Sequence, residues 1–143
     1  MVSWFLWKGE NLGARIISKF LWPPASAAAL VIKDDKVLAV NAGEYLMLPG
    51  GLLEREESFE QGAVRETREE TGLEVEVRSL VSEKVREGLG VEKIFYAELT
   101  GGELSSSWEG RPEWIEISEI EDRDWRYNRD VMRLVEKVQE IKK

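Results

Sequence analysis

Residues 51–73 read GLLEREESFEQGAVRETREETGL, and the punctuation of this stretch decides the fold. Ser58 followed by Gln61 fits a capping box, and Gly72 suits the position just past a helix C-terminus. The spacing therefore predicts a helix over 59–71. Phe59, Ala63 and Val64 give it a modest apolar side, and Gly62 allows close approach to a sheet. Glu66, Glu69 and Glu70 fall three and four residues apart and are expected to share the opposite side. Like charges at that spacing cost about 0.2–0.5 kcal/mol per pair. Either water solvates them, as on most charge-rich helices, or a cation sits among them. Three features favour the cation. The stretch holds seven Glu against three Arg, half of the chain's net charge of −8. Pro49-Gly50-Gly51 marks a backbone that turns sharply or approaches something closely, and it can present carbonyls. Arg65 stands one turn before Glu69, where it can pair with it and fix its direction.

Upstream, 27–32 and 36–40 read as strands joined by a Lys33-Asp34-Asp35 turn, and 45–48 is a short apolar run. Downstream, 73–77, 80–85 and 92–99 read as strands, and 113–117 alternates polar and apolar residues. Asn128 is placed to cap a last amphipathic helix with the seam Val131, Leu134, Val135, Val138 and Ile141. Residues 1–24 differ from the rest. Trp4, Phe5, Trp7, Phe20 and Trp22 put five of the thirteen aromatics into this arm, and Leu12, Ile16, Ile17 and Phe20 fall at helical spacing. The arm is expected to pack on the domain's own sheet, to bridge a homodimer, or to rest on a membrane surface. With no repeat or linker, the chain divides into this arm (1–24) and one α/β domain (25–143), with helices against a mixed sheet.

Composition narrows the chemistry. The 143 residues suffice for one core. There is no Cys and no His, which removes disulfides, thiolate zinc sites and His-based triads. A bound metal must then be held by oxygen, which selects a hard cation such as Mg2+. A general base must be a carboxylate, Lys or Tyr. The negative balance argues against nucleic-acid binding, which needs Lys and Arg to neutralise phosphates. It leaves room for a small phosphorylated substrate bridged by a divalent cation. No run of roughly 18 apolar residues is present, and the N-terminus lacks the features of a signal peptide, so a cytoplasmic location is expected.

The stretch resembles the signature of the Nudix hydrolases, G-x5-E-x7-R-E-U-x-E-E-x-G-U, where U is bulky and apolar. Gly51, Glu57, Arg65, Glu66, Glu69, Glu70, Gly72 and Leu73 match, eight of nine specified positions at correct spacing. Thr67 departs from the pattern, which bears on local packing more than on chemistry. Leu48-Pro49-Gly50-Gly51 resembles the family's entry to the box, and Ile94-Phe95-Tyr96-Ala97-Glu98-Leu99 the strand that follows. Trp108-Glu109-Gly110-Arg111-Pro112-Glu113-Trp114 is similar to the MutT branch, in which a loop Glu supplies an extra carboxylate. By that likeness Glu109 is the candidate and Glu113 the second choice.

The resemblance implies a Nudix-type α/β/α sandwich with a mixed sheet and a loop-helix-loop catalytic motif. It implies Mg2+-dependent hydrolysis (Mn2+ as substitute) of the pyrophosphate linkage in a nucleoside diphosphate derivative, an ADP-ribose-like nucleotide sugar or a (d)NTP. Glu66 and Glu70 would be metal ligands, Glu69 a third ligand or the general base, Arg65 its orienting partner, and the Gly50 carbonyl a further ligand. Glu57 would brace the loop. The alternative is a non-catalytic nucleotide-binding module of the same fold; a metal-dependent enzyme acting on RNA is less consistent with the acidic balance. Substrate markers are sparse. Gly88 and Leu89 stand where many ADP-ribose hydrolases carry proline, and Asn41 stands where many relatives carry a basic residue that meets phosphate. Trp7, Trp22, Tyr45 and Trp108 are stacking candidates for a base, though such aromatics are more often core.

Overall fold

The computed structural model describes residues 24–86 and 90–142. The aromatic arm, with Trp7 and Trp22, and the pair Gly88 and Leu89 lie outside the described residues.

β1 (Ala25–Lys33) and β2 (Lys36–Asn41) form a hairpin. Asp34 and Asp35 both take positive φ, 50° and 61°, the left-handed pair that a two-residue turn between twisted strands requires. β3 (Leu46–Met47) and β7 (Arg111–Glu116) both pair antiparallel with β2. β4 (Gly50–Leu52) pairs with β1, which also runs parallel to β6 (Gly90–Gly102). β6 in turn pairs with β5 (Leu73–Arg86). Seven strands among the described residues thus make one mixed sheet. The two runs 73–77 and 80–85 are one strand here, with register shifts at Val77/Ser79 and Leu80/Ser82. Such bulges bend a strand and break its alternation, which is why the sequence reads as two pieces.

Side-chain alternation along β1 assigns the two faces of the sheet. Ala25, Ala27, Ala29 and Val31 join the layer under α1 (Phe59–Thr71), whereas Ala28 and Leu30 join the layer under α2 (Val131–Ile141). The result is an α/β fold with one helix layer on each face. α1 begins and ends as its sequence predicts: the Ser58/Gln61 capping box is closed, and Gly72 takes φ 81° with its N–H on the Arg68 carbonyl. Gly62 is required by packing, since a Cβ there would stand 2.2 Å from Leu53 Cδ2. Thr67 is fully buried and satisfies its hydroxyl on the Ala63 carbonyl at 2.7 Å, so the polar substitution in an apolar slot leaves nothing unpaired.

Two expectations are corrected. α2 is capped by Asp130, whose carboxylate accepts from the Arg133 N–H at 3.1 Å; Asn128 belongs to a 3-10 turn, Arg126–Asn128, ahead of it. Ile141, placed in the apolar seam, is 60% exposed at the end of the helix. No helix among the described residues is long and apolar enough to cross a membrane.

Candidate active site

The chain bends at Pro49, and Gly50 and Gly51 then lie in β4, paired with Ala28 and Ala27 of β1, so the two glycines serve close approach. A Cβ on Gly50 would sit 2.5 Å from the Ala27 carbonyl oxygen, and one on Gly51 would sit 2.7 Å from Glu66 Oε1. The first glycine lets backbone meet backbone. The second lets a carboxylate of α1 lie directly against the strand.

Helical geometry then separates the three glutamates. Positions 66 and 70 are one turn apart and face the sheet, whereas 69 is about 100° round from 70. Glu70 is buried and its carboxylate accepts the Gly50 N–H at 3.0 Å. Glu66 is largely covered, its side chain 14% exposed, while that of Glu69 is 55% exposed. The expectation of one shared acidic side is therefore corrected: Glu66 and Glu70 turn inward and Glu69 stands at the rim.

Arg65 organises the outer part of this cluster. It grips Glu57 with Nε and Nη2 at 2.7 and 2.9 Å, and Nη1 reaches Glu66 at 3.0 Å and Glu69 at 3.1 Å. Its Nη2 also donates to the Leu52 carbonyl at 3.1 Å, tying α1 to β4. Glu57 additionally accepts the Glu54 N–H at 3.1 Å, so it braces the loop between β4 and α1. The forked pair with Arg65 holds the Glu57 carboxyl below the usual carboxylate range.

Glu109 arrives from the opposite side. Ser107 and Gly110 exchange backbone hydrogen bonds at 3.1 and 3.2 Å, and the Glu109 N–H caps the Ser107 hydroxyl at 3.2 Å. This tight loop presents Trp108, 93% exposed, and Glu109 at the cavity wall. Glu113, the second choice, is instead in β7, paired in register with Ala39 and accepting from Asn41 Nδ2 at 2.5 Å. Burial, together with repulsion and hydrogen bonding from Glu109 and repulsion from Glu66, pushes Glu70 up to about 9 against the opposing Gly50 N–H. Burial, above all, also raises Glu66, opposed by Arg65.

The donors are all hard oxygens, which suits Mg2+ or Mn2+ and not a thiophilic metal. Two covered carboxylates raised by desolvation first and then by neighbouring carboxylates are an arrangement that a cation would relieve. Among the described residues, however, no three acidic side chains converge at ligating distance. The reason is visible in the contacts. Arg65 holds Glu66 and Glu69, and Glu70 is turned onto the Gly50 N–H. The donor types fit a hard divalent ion.

These carboxylates form one end of a cavity of about 870 Å3 floored by β1. Its remaining wall holds residues that sequence reasoning missed: Glu92, Trp125, Arg126, Tyr127 and Arg129. Glu92 and Arg129 form an ion pair at 2.8 Å with both side chains nearly covered. The missed signal was Trp125-Arg126-Tyr127, aromatic residues interleaved with a cation. Tyr45, a stacking candidate, lies outside the cavity lining and packs its ring on Arg126.

The sequence model of the NUDIX domain matches residues 22–135. The chain is similar to an ADP-ribose pyrophosphatase of Methanocaldococcus jannaschii, 29% identical over 68% of this chain and 69% of that one. It is also similar to a MutT-like protein of Streptomyces ambofaciens, 36% identical over 68% and 67% of the two chains. Among solved structures, an ADP-ribose pyrophosphatase from Streptococcus suis superposes with a TM-score of 0.70 at 21% identity, covering 85% of this chain and 92% of that one. A NUDIX hydrolase from Nitrosomonas europaea gives a TM-score of 0.70 at 25% identity, over 85% and 91%.

Proposed function

The chain belongs to the NUDIX family and is a pyrophosphohydrolase, and on that premise we propose that it cleaves the diphosphate of an ADP-ribose-like nucleotide sugar or a (d)NTP with Mg2+, for which Mn2+ can substitute. The observation that carries this reading is the burial of Glu70 against Gly50 with Glu66 and Glu109 beside it. A diphosphate resists water because its own oxygens repel a nucleophile. When bound, the divalent cation neutralises that charge and acidifies the attacking water. Glu66 and Glu70 would hold the ion, and the Gly50 carbonyl would complete the set. The Gly50 carbonyl leaves β4 on the same side as the N–H that meets Glu70, away from β1.

Arg65 keeps Glu69 at the rim and Glu57 on the loop, so the guanidinium positions the acidic cluster and takes no proton itself. Glu69 and Glu109 are the two side chains placed to accept a proton from water. Glu69 is reached by solvent; Glu109 lies beside Glu70, within hydrogen-bonding reach of it. Trp108, exposed on that wall, offers a face to a base. The similarity to the Methanocaldococcus jannaschii ADP-ribose pyrophosphatase supports placing ADP-ribose first among substrates.

A screen of nucleoside diphosphate derivatives with Mg2+, read as phosphate release after phosphatase treatment, tests the reaction. ADP-ribose is expected to release AMP. Glu70→Gln should lower turnover by about a hundredfold or more while the fold is retained. Near-normal turnover in that variant would remove Glu70 from the site. Comparison of Glu69→Gln with Glu109→Gln identifies the base, since only its loss should remove the acidic limb of the pH–kcat profile.

A further inference from the structure

Three arginines line the cavity, and two of them are neutralised. Arg65 is paired with Glu57, Glu66 and Glu69, and Arg129 with Glu92. Arg126 differs. Among the described residues it has no carboxylate partner, and its guanidinium is held by other means. The Tyr127 ring lies 4.7 Å from it, the Tyr45 ring 5.5 Å, and Nη1 rests 3.3 Å from Met47 Sδ. Aromatic faces and a thioether fix the direction of a guanidinium without cancelling its charge or using up its strong donors. The turn that carries it is strained as well: Tyr127 takes φ 63°, ψ 22°, a left-handed conformation that a tyrosine adopts at a cost of roughly 1–2 kcal/mol. In a chain of net charge −8, Arg126 is a preorganised cation without a carboxylate partner among the described residues, exposed in the lining of the cavity that also holds the acidic cluster, and so is free to receive an anion.

We propose that Arg126, clamped by Tyr45 and Tyr127, grips a phosphate oxygen of the substrate's phosphate chain in the cavity it shares with the carboxylate cluster. The proposal rests on the hydrolase reading above. It assigns to this turn the phosphate contact that Asn41, at the end of β2, does not provide, since Asn41 is bonded to Glu113 and to the Gly43 N–H. A planar fork suits two oxygens of one phosphate; an ammonium does not.

The test uses the full chain and inorganic pyrophosphate, a probe with no base or sugar, titrated calorimetrically in Mg2+. Arg126→Ala should weaken pyrophosphate binding about tenfold or more, Arg126→Lys should recover only part of it, and both variants should keep the parent melting temperature. On whichever substrate the screen returns, Arg126→Ala should raise KM about tenfold with kcat within about twofold. Equal pyrophosphate affinity in parent and Arg126→Ala, or no measurable binding by the parent, would overturn the assignment. So would a loss in Arg126→Ala that comes with a lowered melting temperature and an equal fall in kcat, the mark of a structural role. The two readings fail separately. If no compound is hydrolysed but Arg126→Ala still releases pyrophosphate, the phosphate contact stands and the catalytic account falls.

Discussion

At residue scale the site turns on where a proton or a cation sits. Glu70 in the folded chain titrates at about 9, far above an ordinary carboxylate, chiefly because it is buried. Its folded pKa is raised, so the folded state binds the proton more tightly than the unfolded state does. The stability this contributes is complete below the unfolded value and is lost as pH rises towards 9. Without divalent ions the melting temperature is therefore expected to fall between pH 5 and pH 9, by several degrees. Glu57 acts in the opposite sense: its pKa is lowered by Arg65, so its contribution is lost as pH falls through the folded value. Glu70→Gln should flatten the alkaline slope only, and saturating Mg2+ should flatten it in the parent, because the ion takes the proton's place. Calorimetric titration of Mg2+ at pH 7 in buffers of different ionisation enthalpy should show close to one proton released per ion bound. An absence of proton release, or an alkaline slope unchanged in Glu70→Gln, would place the buried charge elsewhere.

At the scale of elements, α1 and β4 are a single device. The glycines of β4 distinguish its two functions, since a methyl on Gly50 meets backbone at 2.5 Å, while a methyl on Gly51 meets only the tip of Glu66 at 2.7 Å. Gly50→Ala is expected to cost about 1–3 kcal/mol of stability, because β4 and β1 must move apart. Gly51→Ala should leave melting within a degree or two yet displace the Glu66 carboxylate and weaken Mg2+ binding. Thermal melts and ion titrations of the two variants check this; equal destabilisation in both would deny that Gly51 serves the carboxylate. The helix itself was legible from sequence, because caps and spacing are local: Ser58, Gln61 and Gly72 hold their expected roles. The inward turn of Glu70 was not, since it depends on a Gly50 N–H contributed by a strand twenty residues away. The same holds for the second wall. Arg126 and Tyr127 sit in a short 3-10 turn with no periodicity to read, and only the tertiary fold brings them into the cavity that α1 also lines. Asn128 lost the cap to Asp130 because the turn consumed it.

At the scale of the whole molecule, the matter is what residues 1–24 add to the domain that follows them. Among the described residues, both apolar layers draw on elements between Ala25 and Ile141, and β1 contributes to the layer under α1 and to the layer under α2. A chain lacking residues 1–22 is therefore expected to fold cooperatively, with a melting temperature near that of the parent. The arm's five aromatics and small positive charge suit a contact surface, on the domain's own sheet or on a second copy of the chain. The expectation that the arm bridges a homodimer makes a direct prediction. On this view the parent elutes as a dimer and the truncated chain as a monomer, with Mg2+-dependent turnover retained because Glu66, Glu70 and Arg126 all lie within the remaining domain. Light scattering after size exclusion measures the first outcome and the nucleotide screen the second. Identical masses for parent and truncated chain would reject the bridge, and a truncated chain that fails to melt cooperatively would show the arm to be part of the fold.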